Sequence, residues 1–241
     1  MYIKYIVLLS FLFSGCVSYD NFDTSKAKGA FGMAQALEND ERYEEALGQY
    51  QNLKNRFPYS KYAVAAELQI AEIQYKREAY PEAQGAYQLF KELHPKHPKI
   101  DYVTYRIGDS IFLQLPSSID RDLSMAPGAI KEFEVLLRDY PKSEHADEAR
   151  QRKQEVINML ADKELYISDF YFRTEEWLHS IVRFEKYLKD FPTHGRRPHA
   201  FYRAGKAAEK LGDETKRNSF FRKLISDYPE SSEAKKAKGV F

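Results

Sequence analysis

YEEALGQYQNLKNRFP, residues 43–58, returns four more times along the chain, closing each time on a proline: Pro58, Pro95, Pro141, Pro192 and Pro229. Twelve residues before these prolines stand Ala46, Ala83, Ala129, Ser180 and Arg217; eight before stand Tyr50, Tyr87, Phe133, Phe184 and Phe221. Five before stand Leu53, Phe90, Leu136, Tyr187 and Leu224. In a chain that is 15% aromatic, five aromatics at one register arise by chance roughly once in ten thousand draws, so a repeat is the first reading.

A small residue followed four later by an aromatic, then three later by another large apolar residue, draws one stripe down a helix. The proline cannot sit inside that helix and turns the residue before it away from helical angles. Each block is therefore an amphipathic helix closed by a Pro turn. A partner helix precedes it, marked by Ala34, Ala71, Gly108, Ser168 and Gly205. Paired helices of about a dozen residues with small residues at the contact resemble the tetratricopeptide (TPR) repeat, and predict an all-α chain, an α-solenoid of five TPR-like pairs. The prolines stand 37, 46, 51 and 37 residues apart, so the third and fourth units are extended.

The excess has identifiable places. Residues 114–128, QLPSSIDRDLSMAPG, carry Pro116, Pro127 and Gly128 and read as an inserted loop, assigned to 116–128. Residues 143–173 lack Pro and Gly, so one helix of about 46 Å is expected to bridge the two ends of the array. The other pairs are expected at 27–39 with 41–55, 60–77 with 81–93, a third beginning at Asp101, and 197–211 with 213–227. Trp177 falls near the start of a helix at 175–190, and 231–238 reads as a short basic cap. Repeats 1–3 then occupy 27–115, and the later repeats with the long linking helix occupy 129–241.

The N-terminus differs. Lys4 precedes the apolar run YIVLLSFLFS, 5–14, too short to span a membrane and suited to a signal-peptide core. It leads to Phe13-Ser14-Gly15-Cys16, and Cys16 is the chain's one cysteine. Small residues before a lone cysteine resemble a bacterial lipobox, which makes 1–15 a lipoprotein signal peptide, Cys16 the lipidated residue and 16–26 a tether. Multiple acyl chains anchor stably where one is marginal. With no second cysteine the fold must rest on packing.

Lys and Arg number 37 against 36 Asp and Glu, which argues against a nucleic-acid partner and for weakly salt-dependent binding. No nucleotide loop, zinc spacing or nucleophile elbow is present, so neither an enzyme, a cofactor nor a metal is expected. His94 and His97 sit between prolines and read as a solvated turn rather than ligands. The resemblance to TPR arrays implies a concave groove lined by the first helix of each pair. The inward positions of each pair's first helix are Phe31, Gln35, Leu68, Glu72, Tyr75, Tyr102, Tyr105 and Phe112, richer in aromatics than a solvated face requires. Such a surface suits an extended or helical peptide.

The lipobox, the five repeats and HPKIDYVTY at 97–105 followed by Gly108 together resemble the BamD (ComL) family of outer-membrane assembly lipoproteins. The insertion Ile119-Asp120-Arg121-Asp122, Arg138-Asp139-Tyr140-Pro141, Trp177 and Lys189-Asp190-Phe191-Pro192 carry the likeness over nearly the whole mature chain. The last repeat departs from it, with Arg217 at the small position. The resemblance implies a non-enzymatic subunit of the β-barrel assembly (BAM) complex. It implies N-terminal repeats that bind unfolded outer-membrane proteins and C-terminal repeats that dock on the periplasmic domain of BamA, alongside other BAM lipoproteins. It implies a lipid anchor on the periplasmic face of the outer membrane. Arg183 matches, in register, a family arginine that contacts BamA. The competing reading is another TPR scaffold lipoprotein, a pilus-secretin pilotin or a cell-wall synthesis coordinator.

Overall fold

A computed structural model describes residues 21–240. Cys16, the signal peptide and the first part of the tether lie outside them. The described residues form eleven helices: α1 (Ala27–Asn39), α2 (Tyr43–Arg56), α3 (Lys61–Lys76), α4 (Tyr80–Leu93), α5 (Ile100–Leu113), α6 (Ala126–Asp139), α7 (Ala146–Arg173), α8 (Trp177–Asp190), α9 (Arg197–Lys210), α10 (Glu214–Asp227) and α11 (Ser232–Lys238). There is no strand among them, and none is long and apolar enough to cross a membrane.

The repeat signature is the core. Tyr50, Tyr87, Phe133, Phe184 and Phe221 are all wholly buried, as are Ala46, Ala83, Ala129 and Ser180. The partner-helix glycines explain how the rings fit. A Cβ on Gly108 would lie 2.8 Å from the Phe133 ring, and one on Gly205 would lie 2.3 Å from the Phe221 ring. Phe133 and Phe221 thus lie where the partner helix has no side chain. Fully burying such a ring contributes on the order of 1.5–3 kcal/mol.

Punctuation follows the sequence as well. Phe57, Tyr140, Phe191 and Tyr228, each before a proline, take φ of −132°, −130°, −124° and −136°, outside the helical well, while their N–H groups still bond back to the preceding turn. Ser60, Asp213 and Ser231 cap α3, α10 and α11 by accepting backbone N–H groups of Tyr62, Lys216 and Ala234. A second kind of closure ends four helices; at Gly212 the glycine at the C′ position signals it, and at the three glutamates nothing in the sequence does. Glu41, Glu78, Glu175 and Gly212 adopt left-handed backbone, with φ of 58°, 60°, 63° and 73°. In each turn the next N–H reaches back over the helix end: Arg42 to Leu37, Ala79 to Gln74, Glu176 to Tyr171 and Asp213 to Ala208, at 2.9–3.0 Å. This is the Schellman closure, and three of its four sites lack the usual glycine.

Three boundaries differ from the sequence reading. Helix α6 starts at Ala126, because Pro127 lies in the first turn, where a missing N–H costs nothing. Helix α7 has 28 residues and starts at Ala146. The Ser143 hydroxyl accepts the His145 N–H at 3.3 Å and holds 143–145 in a turn instead. The chain also forms two compact units, up to Ala79 and from Tyr80, rather than dividing at the inserted loop. The reason lies in α5, which packs as extensively on α6 after the loop as on α4 before it, leaving no break at residue 116. In the first unit α1, α2 and α3 pack together. In the second, α7 packs on α5 and α6 and also on α8 and α9, so it links the middle helices of that unit to its last ones. The inserted loop is tied down: Leu123 is buried and the Lys163 ammonium on α7 donates to the Arg121 carbonyl.

Candidate functional site

In the first unit the inward positions fall on neighbouring helices. Phe31, Gln35 and Glu38 share one face of α1; Leu68, Glu72 and Tyr75 share one face of α3, with Lys76 beside them. The Glu38 carboxylate joins the two, accepting from the Lys76 ammonium at 2.7 Å and from the Tyr50 hydroxyl at 2.9 Å. Phe31 is half-buried, its ring 5.5 Å from Tyr50 and 5.6 Å from Tyr62. Leu68 is only 6% exposed, so it belongs to the core and offers nothing to a ligand. Gln35 is exposed, and Glu72 and Tyr75 are partly so.

In the second unit α5 carries Tyr102, Arg106, Asp109 and Phe112 at helical spacing. Tyr105 is 3% exposed; its ring stacks on His145 at 5.1 Å and 14° and lies 6.2 Å from Phe133. It is a packing residue, and its assignment to an open groove is corrected. Around it the structure assembles groups that periodicity did not single out. The Arg106 guanidinium lies 5.1 Å from the Tyr102 ring centre and donates to its hydroxyl at 2.8 Å. Arg152 of α7 lies 4.6 Å from the Phe112 ring centre. Both arginines converge on the buried Asp109, at 3.9 and 3.4 Å. Burial works against the charge of Arg152, but Asp109 and Glu155 beside it raise its pKa. Tyr102 and Phe112 are half-buried. Rings faced by guanidinium donors can stack on an apolar side chain while holding a carbonyl or carboxylate. Arg152 is missed by sequence reasoning because it lies 40 residues from Phe112, with no local pattern joining them.

Arg183, on α8, donates to Glu164 of α7 at 3.2 Å and remains 38% exposed. Lys186 holds the other oxygen of Glu164 at 3.0 Å and also pairs with Asp190 at 3.0 Å. His94 and His97 are not simply solvated. Their rings pack on Phe90 at 4.8 and 5.0 Å, and the His97 Nδ1 accepts the Lys99 N–H. Burial lowers the His97 pKa.

Residues 23–220 match the model of a family described as YfiO, outer membrane lipoprotein. The chain is 28% identical over 196 residues to the outer membrane protein assembly factor BamD of Vibrio cholerae, covering 78% of this chain and 81% of that one. It is 29% identical over 206 residues to the protein of the same name from Xylella fastidiosa, covering 82% of this chain and 66% of that one. Among solved structures, the TPR2AB domain of yeast Sti1 in its pHSP90 complex aligns with 90% of this chain and 83% of its own, at 14% identity and a TM-score of 0.48.

Proposed function

The chain belongs to the YfiO family of outer membrane lipoproteins, and from that premise we propose that it is a non-enzymatic subunit of the machinery that assembles β-barrel proteins into the outer membrane. The observation that carries this is the extent of the family match, which runs from residue 23 to residue 220 and so covers most of both compact units. The relatives' shared name, outer membrane protein assembly factor, points the same way. The chemistry of the grouped side chains is that of contact: rings, guanidinium forks and bridged carboxylates. Depletion of the protein in its own cells should lower many outer-membrane barrels together. Loss confined to pili would remove this reading in favour of a pilotin.

Cys16 carries the lipid that holds the protein on the periplasmic face of the outer membrane, and Cys16→Ser should move it to the soluble periplasmic fraction. Arg183 presents an exposed donor fork to a carboxylate of BamA. Arg183→Leu should weaken co-purification with BamA by about 1–3 kcal/mol. Unfolded outer-membrane proteins are read in the first unit by Phe31, Gln35, Glu72 and Tyr75, and in the second by Tyr102 and Phe112. An unfolded client loses ordering entropy on binding, so affinity should be about micromolar. Tyr75→Ala and Tyr102→Ala should each weaken binding of a barrel-derived C-terminal peptide while helical content is kept. Tyr105→Ala should instead lower stability, by about 3 kcal/mol.

A further inference from the structure

Acids and bases cancel over the whole chain but not along it. Residues 177–241 hold 15 Lys and Arg against 8 Asp and Glu, whereas residues 21–176 hold more acids than bases. In the second unit this basic stretch encloses a groove of about 330 Å³ lined by α8, α9 and α10. Its floor is apolar: half-buried Leu188 and the edges of the buried Phe201 and Phe220. Its rim carries Lys189, Lys216 and Lys223.

We propose that this groove docks an acidic segment of a separate protein, with one apolar side chain on the floor and carboxylates on the lysine rim. Charge complementarity selects the occupant. Lys189 and Lys223 stand exposed with no carboxylate against them among the described residues. A carboxylate already fits the rim, because Glu185 pairs with Lys216 at 3.2 Å. Arg197 belongs to the wall: it donates to the Tyr228 hydroxyl at 2.8 Å and to the carbonyls of Leu188 and Phe191. The concave shape and apolar floor suit a side chain better than a flat headgroup layer. The groove is distinct from the Arg183 face, since Leu188 lies about 140° round α8 from Arg183. The inference does not depend on the assembly role.

The test uses the full-length protein in detergent and a fluorescein-labelled peptide, Glu-Asp-Phe-Glu-Asp-Leu-Glu, followed by anisotropy. Lys189→Glu combined with Lys223→Glu should weaken binding about tenfold, and so should replacing the peptide's acids with Gln and Asn. Glu185→Gln, which removes the competing carboxylate, should tighten binding by a factor of about two. Arg183→Leu should leave it unchanged. Lys189 and Lys223 are exposed, so the double variant should keep its helical circular dichroism. Equal binding by the double variant, or by the Gln/Asn peptide, overturns the proposal. So does a lysine-dependent capture of phosphatidylglycerol vesicles with no peptide binding, which would make the face a membrane contact.

Discussion

Glu38 and Glu164 are both buried glutamates bridging helices, one in each unit, but their donors differ. Glu38 on α1 accepts from a fully buried hydroxyl, Tyr50 on α2, and from Lys76 on α3. Glu164 on α7 accepts from Arg183 and Lys186 on α8, which are 38% and 49% exposed. The first arrangement ties three helices together. The second keeps two cations at the surface in fixed positions. Lys76 and Lys186 are equally exposed, at 49%, so what sets Glu38 apart is its one buried partner, the Tyr50 hydroxyl, which water cannot reach to replace the carboxylate.

The largest test removes each carboxylate. Glu38→Ala strands the Tyr50 hydroxyl and should cost about 3 kcal/mol in urea unfolding. Glu164→Ala lets two cations turn to solvent and should cost about 1 kcal/mol. Equal losses would erase the distinction.

Alkaline titration sharpens it. The hydrogen bond to Glu38 raises the Lys76 pKa. Burial first, and then the Glu38 charge, raise that of Tyr50. Groups raised in the folded state contribute fully below their unfolded values, about 10 for Tyr and 10.4 for Lys, and that contribution is lost as pH climbs beyond them. The urea midpoint should therefore fall from pH 9 to pH 11, and Tyr50→Phe with Lys76→Met should remove most of the fall. The Glu164 site shares this through Lys186 alone: burial opposes its charge while Asp190 and Glu164 raise its pKa. Lys186→Met should remove a smaller part, and a larger one would reverse the comparison.

At neutral pH, Tyr50→Phe should cost about 1 kcal/mol. Arg183→Leu should change folding by less than about 0.5 kcal/mol, since its pair is half solvated. A large folding loss in Arg183→Leu would make that arginine structural. A change at the same low end, but of opposite sign, is expected in a turn of the second unit: Glu175→Gly should raise stability by about 0.5 kcal/mol by relieving left-handed backbone at a non-glycine residue, read as a higher melting temperature.

Much of the fold was legible because its signals are local. Helix α8 begins at Trp177, close to where the aromatic register placed it, and α11 matches the short basic cap within a residue. The left-handed turns at Glu41, Glu78 and Glu175 were not legible, because glutamate carries no turn signal and the conformation is imposed by the packed helices on either side. The candidate site was legible only in part. Phe112 and Tyr102 were named, while Arg106 and Arg152, which face them, were not. Helical spacing says which face of α5 a residue occupies but not what another helix brings to it.

The sequence by itself determined the helices, their pairing and the ring-on-small-residue core, because a 3.6-residue period and a closing proline act within a single turn of chain. It also marked the inserted loop, by its prolines and glycine. Only the tertiary structure decided that Leu68 and Tyr105 are core, that Glu38 and Glu164 are bridged, that the units part at Ala79, and that the basic stretch encloses a groove. Each of these depends on residues brought together from distant turns, and burial is a property of those neighbours rather than of the residue that is buried.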